Sequence, residues 1–295
     1  MRLLAFEYAC AGGEGGEPYL AEGRVMLSAL LDDLFRAGVE TTTLLHPSLP
    51  SDGFSARRVV RSAEMFSRVV EREMAAHDAV WIIAPETGGS LLQLTRLAES
   101  LKKKIFGAGS RAVDVFGDKL KTYETLKGLA TMPHTSAFTG TYDRFPCVVK
   151  PADGAGCEST YLVSRRDELR ELELPDTRFI IQPFIAGEPM SAAFVSRAND
   201  TALLGVARQK IATNGRLRFE GVEGPVEYPN AATIEMMAEA VRNKVPELFG
   251  YWGMDFVETH GGPVLIEVNP RLTSSYPLYI ATAPFNIPLY VIGGA

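Results

Sequence analysis

Cysteine is scarce in this 295-residue sequence, which contains only Cys10, Cys147 and Cys157. The three are odd in number and scattered, and no two of them have C-x-x-C spacing. This pattern argues against a disulfide framework and a cysteine zinc site, and it predicts a reducing compartment. The first residues lack the apolar core of a signal peptide, because Glu7 follows only a short apolar run. We therefore expect a cytoplasmic protein.

Positive charge is also in short supply, with 30 lysine and arginine residues against 36 acidic ones and a formal net charge of −6. Such a chain has no general affinity for nucleic acid or an anionic membrane, so any anion must be bound by locally placed groups. The charge-free stretch over residues 272–295 is interrupted by Pro277, Pro284, Asn286 and Pro288, which predicts a buried segment rather than a membrane helix. A small anionic ligand is favoured, with neither nucleic acid nor membrane as a partner.

Several catalytic signatures are missing. The sequence contains no G-x-x-x-x-G-K-[ST], no G-x-G-x-x-G, no G-x-S-x-G and no H-E-x-x-H. These absences exclude a P-loop, a dinucleotide fingerprint, a serine-hydrolase elbow and a zincin helix. Disorder is excluded as well, because 46% of the residues are apolar.

Two regions with different patterns follow one another along the chain. Over the first hundred residues or so, apolar runs such as 41–45 and 79–84 alternate with helical patterns, which is typical of an α/β domain with a parallel sheet. After residue 114 strand patterns dominate, and a long helical pattern covers 231–249. We predict an α/β N-terminal domain over residues 1–112, followed by an α+β fold of two subdomains over 113–185 and 186–295.

Two loops of the first domain are candidate ligand contacts. Ligands of parallel sheets bind beyond the carboxyl ends of the strands, where the loops 7–16 and 85–89 are expected. Glu7 and Glu86 are accordingly candidate substrate residues. An ordinary glycine turn is the alternative for each loop.

A hairpin near residue 261 carries a cluster of oxygen donors. Side chains alternate along a strand, so Glu267 and Asn269 share one face. Counting outward in equal steps from Gly261 places Asp255 opposite Glu267. Like charges facing each other destabilise a ladder, and coordination of a hard cation explains such a pair. The alternative is an exposed hairpin face that happens to be acidic.

A second cluster begins at the end of an apolar strand with Lys150. The loop that follows contains Gly154, Ala155 and Gly156. Glycine lets backbone N–H groups approach phosphate oxygens, and the lysine adds a point charge. The loop 153–158 is also a candidate lid. A plain β-turn is the alternative.

A third cluster is the linker from Gln182 to Glu188, which follows another apolar strand. Its backbone can meet the edge of adenine, and its carboxylate can meet ribose hydroxyls. The alternative is a crossover segment whose acid is merely solvated.

In this order, Lys119, the lysine strand with its glycine loop, the linker and the carboxylate hairpin resemble the ATP-grasp superfamily over about residues 114–275. The N-terminal region is similar to the pre-ATP-grasp domain that usually precedes it. The resemblance implies that ATP lies between a lid subdomain, 113–185, and a metal and phosphate subdomain, 186–295. It implies two Mg²⁺ or Mn²⁺ ions on Asp255, Glu267 and Asn269. The ATP-binding residues that it implies are Lys119, Lys150, Gly154, Ala155, Gly156, Gln182, Phe184, Ile185 and Glu188.

Two positions depart from the family pattern. Pro189 occupies the usual place of the ribose acid, so that Glu188 stands one residue early, and Gly253 stands where some members carry an arginine. Arg271 can supply that charge, as in relatives with an E-x-N-P-R motif. Arg208 and Lys210, near a strand end, are further candidates for the γ-phosphate. The catalytic candidates are therefore Lys150, Lys210 and Arg271, and the substrate candidates are Glu7, Glu86, Arg208 and Arg271.

A narrower resemblance rests on the segments 6–8, 12–13, 22–26, 83–86 and 269–273, which look like the tyramine–glutamate ligase family of methanofuran biosynthesis. This implies a carboxylate–amine ligase that forms an amide through an acyl phosphate, releasing ADP and phosphate. Its partners are then a glutamate-like acid and a tyramine-like amine, and Tyr8 or Tyr276 can stack on the phenol ring or simply fill the core.

The alternatives are an ATP-grasp amide or peptide ligase with another acid and amine, a small-molecule phosphotransferase, and a nucleotide-binding regulatory module. A homodimer is expected only because such ligases often pair.

Overall fold

The computed structural model describes residues 1–154, 156–198 and 200–293. Its strands within these ranges are β1 (Leu3–Glu7), β2 (Thr41–Leu45), β3 (Arg58–Arg61), β4 (Ala79–Ile83), β5 (Lys104–Ile105), β6 (Ser136–Ala137), β7 (Cys147–Pro151), β8 (Thr160–Val163), β9 (Phe179–Pro183), β10 (Glu188–Ser196), β11 (Thr201–Thr213), β12 (Arg216–Val226), β13 (Gly250–Thr259) and β14 (Gly262–Asn269). Its α-helices there are α1 (Leu20–Arg36), α2 (Phe66–Ala76), α3 (Ser90–Ser100), α4 (Ser110–Phe116), α5 (Lys119–Leu126), α6 (Arg166–Arg170), α7 (Ala231–Lys244), α8 (Tyr276–Ile280) and α9 (Ile287–Gly293).

The first sheet is parallel and has the strand order β3-β2-β1-β4-β5. This confirms the predicted α/β architecture. Strands β1 and β4 are neighbours, with Glu7 in register with Ile83. The loops that follow these two strands therefore lie side by side, which brings Glu7 and Glu86 to the same edge of the sheet.

The second sheet has the order β14-β13-β10-β11-β12-β8-β7-β9-β6 and is antiparallel, which confirms the predicted change of pattern after residue 114. The linker between β9 and β10 contains the predicted boundary at residue 185, and the boundary at 112 falls within α4. A small core around Val149 and Ile181 is formed by strands β7 to β9 together with Leu169 of α6. The larger cores join the two sheets: Phe6 of β1 and Trp252 of β13 belong to the same cluster.

Several elements differ from the sequence expectations. Helix α7 ends at Lys244 instead of residue 249, because Pro246 lacks an N–H and restricts Val245, which leaves helical geometry. Strands β3, β6 and β12 were not predicted. Strand β3 is a short Arg58-Val59-Val60-Arg61 segment with a charge at each end, whereas β12 begins with the alternation Arg216-Leu217-Arg218-Phe219, which is typical of a half-buried strand.

The charge-free C-terminal segment packs against helix α1. Tyr276, Tyr279 and Val291 are fully buried in a core that α1 shares. A polar contact anchors them: Asp33 accepts hydrogen bonds from the Tyr276 hydroxyl at 2.8 Å and from the Asn286 amide at 2.7 Å. Among the described residues, no helix is both long and apolar enough to cross a membrane.

We expect Asp33→Ala to destabilise the fold by about 1–3 kcal/mol, because the buried Tyr276 hydroxyl and the Asn286 amide lose their shared acceptor. Urea unfolding measures the change. The control is Asp32→Ala, whose half-buried carboxylate accepts from Ser55 on the other side of the helix. Equal losses for the two variants would contradict an anchoring role for Asp33.

Candidate functional site

The β13–β14 hairpin brings the predicted metal ligands together. Asp255 is in register with Glu267, as predicted. The turn consists of His260 and Gly261 and is not centred on Gly261, which shifts the strand pairing by one residue from the expected one. A bulge beside Asp255 adds one residue to β14 and shifts the pairing back, so the predicted register is restored. Asn269 lies on the same face, where its amide donates to the Asp255 carboxylate at 3.2 Å.

Two lysines balance these acids. The Lys119 ammonium, at the start of α5, lies 3.4 Å from the Glu267 carboxylate, and Lys150 is buried at the end of β7. Burial and the charge of Glu267 raise the pKa of Asp255. Burial also disfavours charge on Glu267, but Lys119 and Lys150 outweigh it and lower the Glu267 pKa. Burial lowers the pKa of Lys150, and the charge of Glu267 opposes that shift.

The donor set fits a hard divalent cation. Within the described ranges no three His, Cys, Asp or Glu side chains are grouped to hold a metal ion. Asp255 and Glu267 instead combine with the amide oxygen of Asn269, and carboxylate and amide oxygens are what Mg²⁺ and Mn²⁺ prefer. The Ser191 hydroxyl, opposite Asp255 on β10, is buried without a hydrogen-bond partner in the described part of the chain. The Ser191 hydroxyl is thus a further oxygen donor beside Asp255 and Glu267.

A cavity of about 330 Å³ lies above this hairpin. Its size is at the lower end of the range for small-molecule sites. The predicted site residues that line it are Lys119, Lys150, Gly154, Gly156, Gln182, Phe184, Ile185, Asp255, Glu267, Asn269 and Arg271. Residues from α5, β7, the glycine loop, the linker and the hairpin thus face one space.

The glycine loop holds unusual backbone conformations. Gly156 has φ +62°, and two residues with side chains, Cys157 and Ser159, also have positive φ. Such conformations cost energy and are typical of functional loops. The carbonyl of Gly154 accepts from the Lys119 ammonium at 2.5 Å, which ties the loop to α5. Ala155, also predicted to bind ATP, lies outside the described residues.

The linker lines the opposite side of the cavity. The Gln182 amide donates to the Thr135 hydroxyl at 2.6 Å, which fixes its orientation. The Phe184 N–H already donates to the Pro146 carbonyl at 3.0 Å, so the carbonyl of Phe184 is the backbone group left for a ligand. Ile185 follows in the cavity wall.

Three predicted residues of the second domain lie outside the cavity lining. Arg208 pairs with Glu188 at 2.5 Å, and Lys210 pairs with Glu223 at 3.2 Å, all four side chains being half exposed or more. Strand alternation explains this, because Gln209, between the two cations, lines the cavity. Bulges in the β11–β12 ladder flank these positions. Arg208 and Lys210 therefore do not face the cleft as expected, and Gln209 holds the inward position between them.

Arg271 connects the cavity to the first domain. Its guanidinium donates to the Glu86 carboxylate at 2.9 Å, and Glu86 itself is not part of the cavity lining. Burial disfavours the charge of Arg271, but Glu86 outweighs burial and raises the Arg271 pKa. Glu7 is buried behind the cavity, where its carboxylate accepts from the Cys10 N–H at 2.8 Å. The structure thus places both predicted first-domain acids behind the cavity wall.

The two aromatic candidates are engaged in packing. The Tyr8 ring contacts Phe66 edge to face, and its hydroxyl donates to the Glu14 carbonyl. Tyr276 is fully buried and bonded to Asp33. The core-packing alternative therefore holds for both.

Several cavity residues were not predicted. Gln209 opposes the rise in the pKa of Asp255, and Ser191 lies opposite Asp255 on β10. Ser191 is a single polar residue next to an apolar run, a signal that sequence reasoning could have used, whereas Gln209 stands between Arg208 and Lys210. Glu22 and Glu158 line the same space. A further part of the wall is apolar and comes from the inward face of the β11–β12 hairpin, with residues Ile211, Leu217, Phe219 and Val222.

Sequence comparisons agree with this arrangement. Residues 116–275 match the family model of an ATP-grasp domain, and residues 39–113 match that of a pre ATP-grasp 3 domain. The chain is 29% identical over 283 residues to tyramine–L-glutamate ligase of Methanocaldococcus fervens, covering 92% of this chain and 87% of the relative. It is 22% identical over 238 residues to D-alanine–D-alanine ligase of Fusobacterium nucleatum, covering 77% and 82%.

Solved structures share the fold. An ATP-grasp superfamily protein of Archaeoglobus fulgidus superposes with a TM-score of 0.79 and 26% identity, covering 100% of this chain and 88% of that one. L-amino acid ligase of Bacillus licheniformis gives 0.75 with 18% identity, covering 99% and 73%. These matches confirm the predicted order of an α/β domain followed by an ATP-grasp fold.

We expect Asp255→Asn to keep or raise the thermal midpoint, because it removes one of two opposed, half-buried acids. The affinity for magnesium–ATP should fall by about 100-fold or more, since a carboxylate ligand is lost. Calorimetric titration and thermal unfolding measure the two effects. Glu223→Gln, which removes an exposed acid on β12, is the control. Unchanged magnesium–ATP affinity in Asp255→Asn would rule out the metal assignment.

The buried Glu7 should give a pH-dependent stability. Burial raises its pKa above the ordinary 4.5, so the folded protein keeps this proton to a higher pH than the unfolded chain does. The free energy of unfolding therefore falls as pH rises through that window, and Glu7→Gln should lack this fall. Urea unfolding of both proteins at pH 5 and pH 8 measures it. Parallel pH profiles would contradict the assignment.

Proposed function

This chain belongs to the ATP-grasp family and is a ligase that forms carbon–nitrogen bonds, and we propose that it couples the side-chain carboxylate of glutamate to tyramine. The observation that carries the proposal is the extent of the similarity to tyramine–L-glutamate ligases, which spans 92% of the chain. That span includes the first domain as well as the ATP-grasp region. The similarity to these ligases therefore covers the surfaces that would select an acid and an amine as well as the nucleotide site.

The proposed reaction has two steps. A carboxylate oxygen of the acid attacks the γ-phosphorus of ATP, the bond between that phosphorus and the bridging oxygen breaks, and ADP leaves. The amine nitrogen then attacks the acyl carbon, loses a proton, and inorganic phosphate departs as the amide forms. Such chemistry depends on positioning and charge neutralisation more than on a nucleophilic side chain. The cavity, which is rich in charged groups, suits this demand.

The side chains have separate roles in this scheme. Lys119 and Lys150 neutralise phosphate charge from the glycine-loop side. Arg271 holds the anionic end of the activated acid. Asp255, Glu267 and Asn269 would hold the divalent ions, which neutralise phosphate oxygens when bound.

Water must be kept from an acyl phosphate. Both flanks of the glycine loop contact the first domain: Asp153 accepts from the Gly88 N–H at 3.1 Å, and Glu158 accepts from the Tyr19 hydroxyl at 2.6 Å. These contacts support a closed chamber for the intermediate.

The test is a product assay with ATP, magnesium, glutamate and a panel of amines. We expect ADP, phosphate and γ-glutamyltyramide in equal amounts, with tyramine preferred over small alkylamines. Release of AMP and pyrophosphate would overturn the acyl-phosphate scheme. ADP formation that needs the acid but no amine, with a stable phosphorylated product, would establish a phosphotransferase.

Two controls separate specificity from mechanism. The Asp255→Asn variant should form no product, which excludes a contaminating activity. Replacing glutamate with aspartate or D-alanine tests the acid, and an amide formed only from another acid or amine would keep the ligase and reject the glutamate–tyramine pair.

A further inference from the structure

Glu86 and Arg271 form a buried ion pair between the two parts of the molecule. Glu86 follows β4 of the first domain, and Arg271 follows β14 of the second, 185 residues later. The two side chains are only 7% and 14% exposed, and the guanidinium nitrogen lies 2.9 Å from the carboxylate oxygen. Arg271 lines the cavity, whereas Glu86 stands behind it.

The geometry of this pair is not the one that best stabilises a fold. A bidentate pair would satisfy both partners, but here a single hydrogen bond joins them. The Arg271 Nε and the second oxygen of Glu86 are buried without hydrogen-bond partners in the described part of the chain. Because buried ion pairs are weak evidence for stability and unpaired buried groups cost energy, a functional reason for the pair is favoured.

The position of Arg271 explains what Glu86 can do. Arg271 also donates to the Leu272 carbonyl at 3.2 Å, so the guanidinium is held from two sides. Glu86 is the partner that the first domain supplies. Without it, the long arginine side chain keeps its charge but loses its fixed direction toward the cavity.

We infer that Glu86 is a positioning residue, which orients the Arg271 guanidinium from the first domain toward the anionic end of the activated substrate. This rests on the proposed ligase reaction, and it assigns Glu86 a role other than direct contact with the substrate. The correct orientation of the guanidinium then requires both domains, because Arg271 belongs to the second domain and Glu86 to the first.

A double-mutant cycle tests the inference. Glu86→Gln should lower kcat/KM for the acid by about 100-fold while the KM for ATP changes by less than about twofold. In an Arg271→Gln background the same substitution should add less than about a twofold effect, because its role acts through Arg271. Glu86→Asp, which keeps the charge, should recover part of the loss. Equal losses in both backgrounds would overturn the inference.

The matched control is Glu73→Gln. Glu73 is also a buried glutamate of the first domain, 6% exposed and 3.0 Å from an arginine, but its partner Arg58 is exposed and does not line the cavity. We expect it to reduce thermal stability without changing kcat/KM. If Arg271→Gln does not fold, Arg271→Lys provides the second background. A loss in Glu86→Gln no larger than in Glu73→Gln would also reject the inference.

A binding measurement separates this inference from the proposed function. Inorganic phosphate is released in every ADP-forming ligation, so its calorimetric titration into the protein saturated with ADP and magnesium needs no knowledge of the acid or amine. Glu86→Gln should weaken phosphate binding by about 10-fold and leave ADP affinity unchanged. Unchanged phosphate affinity would reject the positioning role. Absence of amide from the wild type, with this weakening present, would reject only the proposed substrates.

Discussion

The opposition of Asp255 and Glu267 across one hairpin is the constraint on which the site depends. Two half-buried acids that face each other across a ladder repel, so the fold must bring positive charge to them. Lys119 and Lys150 do so from α5 and from β7, on different parts of the chain. The position of the lysine strand and glycine loop above the hairpin is therefore an electrostatic requirement as much as a result of packing. A bound nucleotide would add its negative phosphates beside the lysines, and its metal ions would add positive charge beside the acids.

The parts of the site that sequence reasoning predicted are those set by local spacing. The parallel first sheet and the linker between β9 and β10 follow from patterns that can be read along the chain. The pairing of Asp255 with Glu267 was also predicted, but it is met because the shifted turn and the bulge cancel. Arg208 and Lys210 were expected to face the cleft, but strand alternation turns Gln209, the residue between them, toward the cavity. The contact between Glu86 and Arg271 spans 185 residues, and no local pattern encodes it.

The two halves of the cavity therefore differ in origin. The nucleotide side is formed by neighbouring segments of one sheet, whose motifs recur in many ATP-grasp proteins. The substrate side depends on how the first domain meets β14, through Glu86 and through the hydrogen bonds from Tyr19 and Gly88 to the glycine loop. If the proposed reaction holds, changes in this contact would alter the acid and amine that fit without disturbing the phosphate groups. Such a division would let one fold serve ligases with different substrates.

The packing of α8 and α9 on α1 bears on the order in which the protein becomes stable during synthesis. Asp33 and Tyr276 are 243 residues apart, so at translation rates of about 5–20 residues per second the apolar side of α1 waits roughly 12 to 50 seconds for its cover. The core around α1 is therefore completed only when the C-terminal helices have been made, although the strands of the first sheet that share this core are synthesised much earlier.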